Sequence, residues 1–257
     1  MDLLAEGDTV IHRLDARAKV LVTLVFIVSV VSVNKYELSA LLPFFIFPAV
    51  MVSRGNIPAM FVAKKVVLVI PFALVIGIFN PLFDQDPLVR LGSLSISGGW
   101  ISYFSVIVRA LLTVSASIIL VSVTGFAAIC RALEQLGAPQ VFAVQLLFLY
   151  RYIFVLMEEG SRLSRARDLR SFGGNGRGMR PYGSLIGNLL LRTWERAERI
   201  HVAMLARGFT GQFHTRQASR FGRRELWFLL AWTVYFAILR LWNMSQVLGG
   251  LVNGVFS

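Results

Sequence analysis

The chain has 257 residues, of which 56% are hydrophobic and 16% are charged, and its formal net charge is +12. Soluble domains contain about 25% charged residues, so this composition indicates a membrane protein and argues against an ordinary soluble domain. In a membrane protein, a basic excess is typical of loops on the cytoplasmic side. The single cysteine, Cys130, excludes an intramolecular disulfide framework and a CxxC metal site.

Apolar runs along the chain predict five membrane-spanning helices, each of which needs about 17–25 mostly apolar residues. The fourth run carries Arg109, a costly position in a membrane and therefore a functional candidate, unless its guanidinium extends to the headgroups. Three tryptophans, at positions 227, 232 and 242, fit an interfacial belt or an aromatic core. In chain order the runs cover residues 18–33, 36–52, 66–83, 100–126 and 226–241.

Charge assigns the sides of the membrane. Residues 158–224 contain fourteen arginines, five acidic residues and no lysine, which places them and the N-terminus inside, while the loop around Asp84 falls outside. A sixth apolar run, residues 141–157, connects this basic segment to another inside loop at Arg131, and a single spanning helix cannot join two segments on one side. We therefore predict that residues 141–157 form a helix along, or dipping into, the cytoplasmic membrane face.

These patterns predict an all-α, polytopic membrane protein in three parts. Residues 1–140 hold the first four spans, residues 141–224 hold helices at the cytoplasmic face, and residues 225–257 hold the last span and a tail. A glycine-rich break at residues 171–183 divides the cytoplasmic part. The break lacks the GxxxxGK[ST] pattern of a phosphate-binding loop, so it is interpreted as a connector.

The helix after the break is predicted over residues 184–207. Gly208 follows it directly, where a glycine favours a left-handed helix cap, so Arg207 is placed at the helix tip. Ion pairs at helical spacing are expected for Glu195 with Arg199, and for Glu158 and Glu159 with Arg162 and Arg165. An apolar stripe is formed by Ile186, Leu190, Trp194, Ala197, His201 and Met204.

Two Ala-Arg pairs, Ala166-Arg167 and Ala206-Arg207, lie near the ends of the two cytoplasmic helices. Anionic membrane lipids attract basic loops in general and account for roughly half of the arginines. They do not explain why lysine is absent. The planar fork of arginine suits bidentate pairing with carboxylates, so the duplicated pair suggests two acidic sockets on partner proteins.

The segments YRYIFVLMEEGSRLSRARDLR and ERAERIHVAMLARGFTG carry a family resemblance, together with DARAK, FNPLF and RALEQLGAP. The chain resembles the transmembrane coupling (T) component of energy-coupling-factor ABC transporters, in particular the cobalt-transport type called CbiQ. The resemblance implies a multi-pass protein of the bacterial inner membrane. It also implies two cytosolic ABC ATPases and a substrate-binding membrane subunit, of the cobalt-binding CbiM-like kind, as partners.

The resemblance also implies roles for individual residues. Two motifs dock in the ATPases, Ala166-Arg167-Asp168 and Ala206-Arg207-Gly208, and Asp168 departs from the small third residue of the family motif. Arg162, Arg165, Arg192, Arg196 and Arg199 support the coupling helices. The helix of residues 141–157 packs beneath the substrate-binding subunit through Val141, Leu146, Leu149, Tyr150, Ile153 and Leu156.

Other function classes are weighed against this one. The chain has no Walker motif, so ATP hydrolysis is expected of the partners, and no catalytic residue, cofactor or nucleic-acid partner is expected of the chain. No metal site is expected, because Cys130 and the histidines at positions 12, 201 and 214 are scattered. The alternatives are a membrane-bound enzyme acting on phosphorylated lipid, or the same coupling role for nickel or a vitamin.

Overall fold

The computed structural model describes residues 7–83, 87–91, 94–170, 180–209 and 222–241. The chain divides into two compact units, residues 1–132 with 219–257 and residues 133–218. A 3₁₀ helix covers Ser39–Phe45, and strands β1 (Pro87–Leu91) and β2 (Leu94–Ser97) form an antiparallel hairpin. In chain order the helices are α1 (Ala16–Ser32), α2 (Ile46–Arg54), α3 (Ala59–Val67), α4 (Ile70–Gly77), α5 (Phe79–Phe83), α6 (Gly98–Thr124), α7 (Phe126–Gln135), α8 (Gln140–Arg170), α9 (Arg180–Ala206) and α10 (Arg223–Leu241).

The predicted helical fold class is confirmed for the described residues, with one addition. The hairpin of β1 and β2 lies in the loop after the third predicted span, where the sequence analysis expected no strand. The residues around Asp84, the first part of the glycine-rich break (171–179), His214 and the C-terminal tail lie outside the described residues.

The DARAK segment starts α1 and anchors it. Asp15 is the N-cap, and its carboxylate accepts a hydrogen bond from the backbone N–H of Arg17 at 2.9 Å, which satisfies one of the free amides of the first turn. Lys19 is buried, and its Nζ donates to the carbonyl of His12 at 3.4 Å. The motif therefore holds the residues before α1 against the helix.

Neither the second nor the third predicted span folds as one uninterrupted α-helix. Residues 36–52 fold as the 3₁₀ helix, which contains Pro43, followed by α2. Residues 66–83 are divided among α3, α4 and α5, and Pro71 lies in the first turn of α4. Pro71 marks a helix start, because a proline is tolerated in the first turn, where the N–H that it lacks would have no partner within the helix. Pro43 lies inside the 3₁₀ helix, and that helix continues directly into α2.

Two of the described helices, α6 and α8, are long and apolar enough to cross a membrane, and α3 with residues 70–81 makes a possible third, bent by 40°. The helix α6 matches the fourth predicted span closely and ends at Gly125, whose φ is +75°. The helices at the first and last predicted spans, α1 and α10, have 17 and 19 residues. The count of five spans thus stays a prediction.

An aromatic cluster forms the core of the first unit, where α10 packs against α1 and the 3₁₀ helix. The ring of Phe26 lies 4.6 Å from that of Phe47, and Phe236 packs against both. Trp232 joins this core, with its ring 4.9 Å from Phe47, whereas Trp227 is exposed. Trp232 therefore fits the aromatic core, whereas the exposed Trp227 fits an interfacial belt. Trp242 lies outside the described residues.

Arg109 has a structural contact in the first unit. Its Nη2 donates at 2.9 Å to the carbonyl of Val33, the residue that caps the C-terminal end of α1. The last carbonyls of a helix lack partners within the helix and attract cations. Arg109 thus connects α6 to the end of α1, which accounts for an arginine within an apolar run.

Candidate functional site

The helices α8 and α9 make up most of the described part of the second unit. All residues with a predicted coupling role lie in these two helices, except Arg207 and Gly208, which directly follow α9. They run antiparallel, because Arg167 near the end of α8 contacts Tyr182 near the start of α9, while Glu159 contacts Arg192 further along. Gly160 of α8 faces Leu189 of α9, and a Cβ at Gly160 would lie 3.8 Å from that side chain, which is an ordinary van der Waals contact. The unit is a helix pair with little core of its own.

One face of α9 packs, and it shares only Met204 with the predicted stripe. Leu185, Leu189 and Ile200 are half-buried in the unit. The other five residues of the predicted stripe are exposed, and the large apolar ones among them are Ile186 (62%), Leu190 (67%) and Trp194 (73%). A face this apolar and this exposed is typical of a surface that another molecule covers.

The C-terminal end of α9 carries the predicted cap. The φ of Gly208 is +79°, its N–H donates to the carbonyl of Leu205 at 2.9 Å, and the N–H of Phe209 donates to that of Met204 at 3.0 Å. This pair of bonds is the Schellman motif, which ends a helix cleanly with the residue before the glycine as its cap. Arg207 is that cap residue, and its side chain is exposed.

The C-terminal end of α8 is built differently. Arg167 is half-buried, and its guanidinium carbon lies 4.3 Å from the centroid of the Tyr182 ring, within cation–π distance. It lines a cavity of about 650 Å³ between α8 and α9, whose walls also carry Arg162, Arg170 and Arg192. Ala166 lines the same cavity, and Asp168 is exposed. The first Ala-Arg pair thus lies in a basic cleft.

The two Ala-Arg pairs lie at opposite ends of the helix pair. Each arginine is at the C-terminal end of its helix, and antiparallel helices place those ends apart. Tyr182, the residue of α9 that Arg167 contacts, lies 25 positions before Arg207, which corresponds to about 37 Å along a helix. A single acidic socket therefore cannot contact both arginines.

The supporting arginines divide into paired and unpaired groups. The predicted pairs Glu158–Arg162 (2.6 Å) and Glu195–Arg199 (3.7 Å) are confirmed, and both are exposed. Glu159 was expected to pair along its own helix, but it pairs with Arg192 of α9 at 2.6 Å, and only 20% of its side chain is exposed. Within the described part of the chain, Arg165 and Arg196 form no ion pair.

The predicted contacts with a substrate-binding subunit lie on the first half of α8. Val141, Leu149 and Ile153 are exposed, with 63%, 61% and 47% of their surface accessible. Leu146, Tyr150 and Leu156 are half-buried. This half continues without a break into the half that carries Arg167, since α8 is one helix of 31 residues. The expected boundary near residue 157 is therefore not a helix end.

Two contacts were missed by the sequence analysis, the stacking of Arg167 on Tyr182 and the Glu159–Arg192 bridge. Both depend on how α9 is aligned against α8, and no spacing within either helix encodes that alignment. Among the described residues, no group of three His, Cys, Asp or Glu side chains is placed to hold a metal ion.

Comparisons with known proteins agree with this architecture. A family model named CbiQ, described as cobalt transport protein, matches residues 7–219. An uncharacterized protein of Methanocaldococcus jannaschii is 27% identical over 91% of this chain and 82% of its own length. The energy-coupling factor transporter transmembrane protein EcfT of Ruminiclostridium cellulolyticum is 25% identical over 80% of this chain and 81% of its own length.

A third relative carries the name of the family. The cobalt transport protein CbiQ of Salmonella typhimurium is 26% identical over 57% of this chain and 71% of its own length. The named relatives are transporter proteins, and the long apolar helices α6 and α8 agree with a place in a membrane. The chain belongs to the CbiQ family, whose members are transmembrane (T) components of energy-coupling-factor transporters.

Proposed function

We propose that the chain couples two cytosolic ABC ATPases to a substrate-binding membrane subunit, and that it transmits ATP-driven movement between them without hydrolysing ATP itself. The observation that carries this proposal is the placement of two exposed or cleft-lining arginines at opposite ends of one helix pair. Two separate ends fit two separate ATPases, each of which presents a carboxylate to the planar fork of an arginine.

The continuity of α8 supports transmission of movement. A helix of 31 residues is about 46 Å long, and its first half carries the exposed apolar residues while its last turn carries Arg167. A displacement of the ATPase at the Arg167 end therefore moves the apolar half as part of the same rod. The substrate-binding subunit, packed on Val141 and Ile153, is tilted or reshaped by that movement.

The direct test replaces both docking arginines with the opposite charge. The Arg167→Glu/Arg207→Glu chain should lose co-purification of the ATPases and substrate uptake, because each socket then faces a like charge. Arg224→Glu is the matched control, since Arg224 is exposed and lies in the first unit. Unchanged assembly of the double variant refutes the proposal.

We also propose five membrane spans, with the N-terminus and residues 158–224 cytoplasmic in a bacterial inner membrane. The first half of α8 lies along the cytoplasmic face, although its length and composition would allow it to cross. Arg151 supports this placement, because it is exposed in the middle of the apolar half and has no ion pair in the described part of the chain. An unpaired, lipid-facing arginine at mid-membrane depth is strongly disfavoured.

Cysteine labelling tests this placement. In a Cys130→Ser background, single cysteines are introduced at the exposed positions Pro139 and Ser161, which flank the apolar half of α8. Both should react with an impermeant maleimide from the cytoplasmic side only. Labelling of Pro139→Cys from the outer side would show that α8 crosses the membrane.

Cobalt is the substrate that we propose. The support is the description of the matched family and the name of the Salmonella relative. Uptake of radioactive cobalt, nickel and a labelled vitamin by cells that express the complete complex measures the preference. Cobalt uptake that depends on Arg207 supports the proposal. Uptake of nickel or of the vitamin, without uptake of cobalt, would show that cobalt is not the substrate.

A further inference from the structure

A second cavity, here called the α8–α9 groove, lies on the other side of the Glu159–Arg192 bridge. Its volume is about 490 Å³, within the range of roughly 300–1,000 Å³ that is typical of sites for small organic ligands. The wall from α8 is apolar and includes Phe148, whose ring stacks near that of Tyr152 with centroids 6.1 Å apart. Ile200 and Met204 of α9 close the apolar part.

The charged rim of the groove has one cation in excess. It carries three arginines and two glutamates, and the bridges Arg192–Glu159 and Arg199–Glu195 account for four of them. Arg196 is the fifth, is exposed, and forms no ion pair or hydrogen bond with any described residue. An apolar cavity with a single uncompensated arginine at its edge matches a ligand with an apolar tail and an anionic head.

We propose that the α8–α9 groove binds one anionic phospholipid, with an acyl chain along the α8 wall and the phosphate on Arg196. An arginine fork binds phosphate oxygens bidentately, which a lysine does not do. The occupant is a lipid because the apolar half of α8 lies at the membrane face on the proposed topology, where headgroups and acyl chains are present together. The lipid braces α9 against α8 where protein packing leaves a cavity.

This site is distinct from a general attraction of basic loops to the membrane. General attraction depends on summed charge and is weakened by salt, whereas the groove also requires the apolar cavity beside Arg196. Leu149 and Leu156 line the groove, but Val141 and Ile153 do not. The lipid therefore leaves part of α8 exposed for a protein partner.

The experiment uses the full chain in its complex with the ATPases and the substrate-binding subunit, reconstituted in nanodiscs of phosphatidylcholine with or without phosphatidylglycerol. Native mass spectrometry after release into detergent counts retained lipid. A phosphatidylglycerol with a photoreactive acyl chain reports the position, and crosslinks are expected on α8 between Phe148 and Leu156 and on α9 near Ile200.

Two variants remove the two halves of the site. Arg196→Gln removes the cation and should lower phosphatidylglycerol retention by roughly tenfold or more, as expected for the loss of a charged hydrogen bond. Ala197→Trp fills the groove, which Ala197 lines, and should remove the acyl-chain crosslinks. The matched controls are Arg224→Gln, which removes an exposed cation in the first unit, and Ala203→Trp, which adds the same bulk to α9 outside the groove.

The outcomes separate the occupants. A retained phosphatidylglycerol that is lost in Arg196→Gln and Ala197→Trp, and kept in both controls, supports the proposal. Equal loss in Arg196→Gln and Arg224→Gln means that only general charge attraction is present and overturns it. Groove positions that crosslink to the substrate-binding subunit, with no lipid retained, also overturn it.

This inference rests on the proposed place of α8 at the membrane face and is independent of ATPase docking. ATPase co-purification is therefore measured on the same samples. Lipid retention without bound ATPases would refute the coupling function and leave the lipid site intact. Bound ATPases without retained lipid would refute the lipid site and leave the coupling function intact.

Discussion

The two Ala-Arg ends of the helix pair share a dipeptide and differ in almost everything around it. Arg207 is the cap residue of α9, projects from an end closed by Gly208, and is exposed. Arg167 lies three residues before the end of α8, is half-buried over Tyr182, and lines a basic cleft with other arginines. One end is a projecting tip, and the other is part of the wall of a cavity.

The same Ala-Arg dipeptide can therefore belong to two differently shaped surfaces, a projecting tip and a cleft. A tip inserts into a socket on the partner, whereas a basic cleft receives an acidic group from the partner. If both ends dock to ATPases, as we propose, then the two sockets differ in shape or the cleft opens on docking. The following predictions test the asymmetry, in order of decreasing effect.

Removal of Arg207 should have the largest effect. Arg207→Ala should weaken binding of the ATPase pair by about 2–5 kcal/mol, roughly 30-fold to several thousand-fold, since a buried partner carboxylate loses its counter-charge. Arg167→Ala should cost less, because Arg162, Arg170 and Arg192 remain in the cleft. Titration of the ATPases onto the chain in nanodiscs measures both, and equal losses would contradict the asymmetry.

The glycine cap should have the next largest effect. Gly208→Ala places a side chain at a φ of +79°, which costs about 1–2 kcal/mol and loosens the end that presents Arg207. Gly187→Ala on the same helix is the control. Nothing lies within 4 Å of a Cβ there, so the substitution should stabilise α9 by about 1 kcal/mol.

Both glycine variants are compared by the hydrogen-exchange rate of the amides of residues 204–209 and by the ATPase titration. Faster exchange and weaker binding are expected only in Gly208→Ala. Unchanged exchange in that variant would mean that the cap does not hold the tip.

These ends also show how far the sequence alone could lead. The cap at Gly208 and the fourth span could be predicted, because a glycine after a periodic helix and an unbroken apolar run are local signals. The stacking on Tyr182 and the Glu159–Arg192 bridge could not, since both depend on how α9 is aligned against α8, and no spacing within either helix encodes that alignment. Pro43 and Pro71 are visible in the sequence, but composition alone does not show that the chain continues through Pro43 as a 3₁₀ helix and starts a new α-helix beside Pro71.

Tyr182 should have a smaller effect, confined to the Arg167 end. If the stacked arrangement holds Arg167 ready for docking, Tyr182→Ala should weaken ATPase binding by about 0.5–1 kcal/mol, roughly two- to fivefold. Tyr182→Phe keeps the ring and should bind as the natural chain does. Tighter binding in Tyr182→Ala would instead mean that the stacking competes with docking, so that Arg167 must leave the ring first.

Cys130 should show almost no reaction with thiol reagents in the folded chain, so the distance between the two Ala-Arg ends can be measured with labels on introduced cysteines. The thiol is buried in α7, and burial raises its pKa, so it stays protonated near neutral pH and should not react with maleimide until the chain unfolds. Mass spectrometry before and after denaturation checks this, and rapid labelling of the folded chain would contradict it.

Cysteines introduced at Leu169 and Leu205, which are 77% and 54% exposed, can then carry spin labels next to the two arginines. ATP should shorten the distance between these labels in the assembled complex, because closure of the ATPases draws the two sockets together. A distance that does not change would mean that the pair moves as one rigid body, with the tip and the cleft displaced equally.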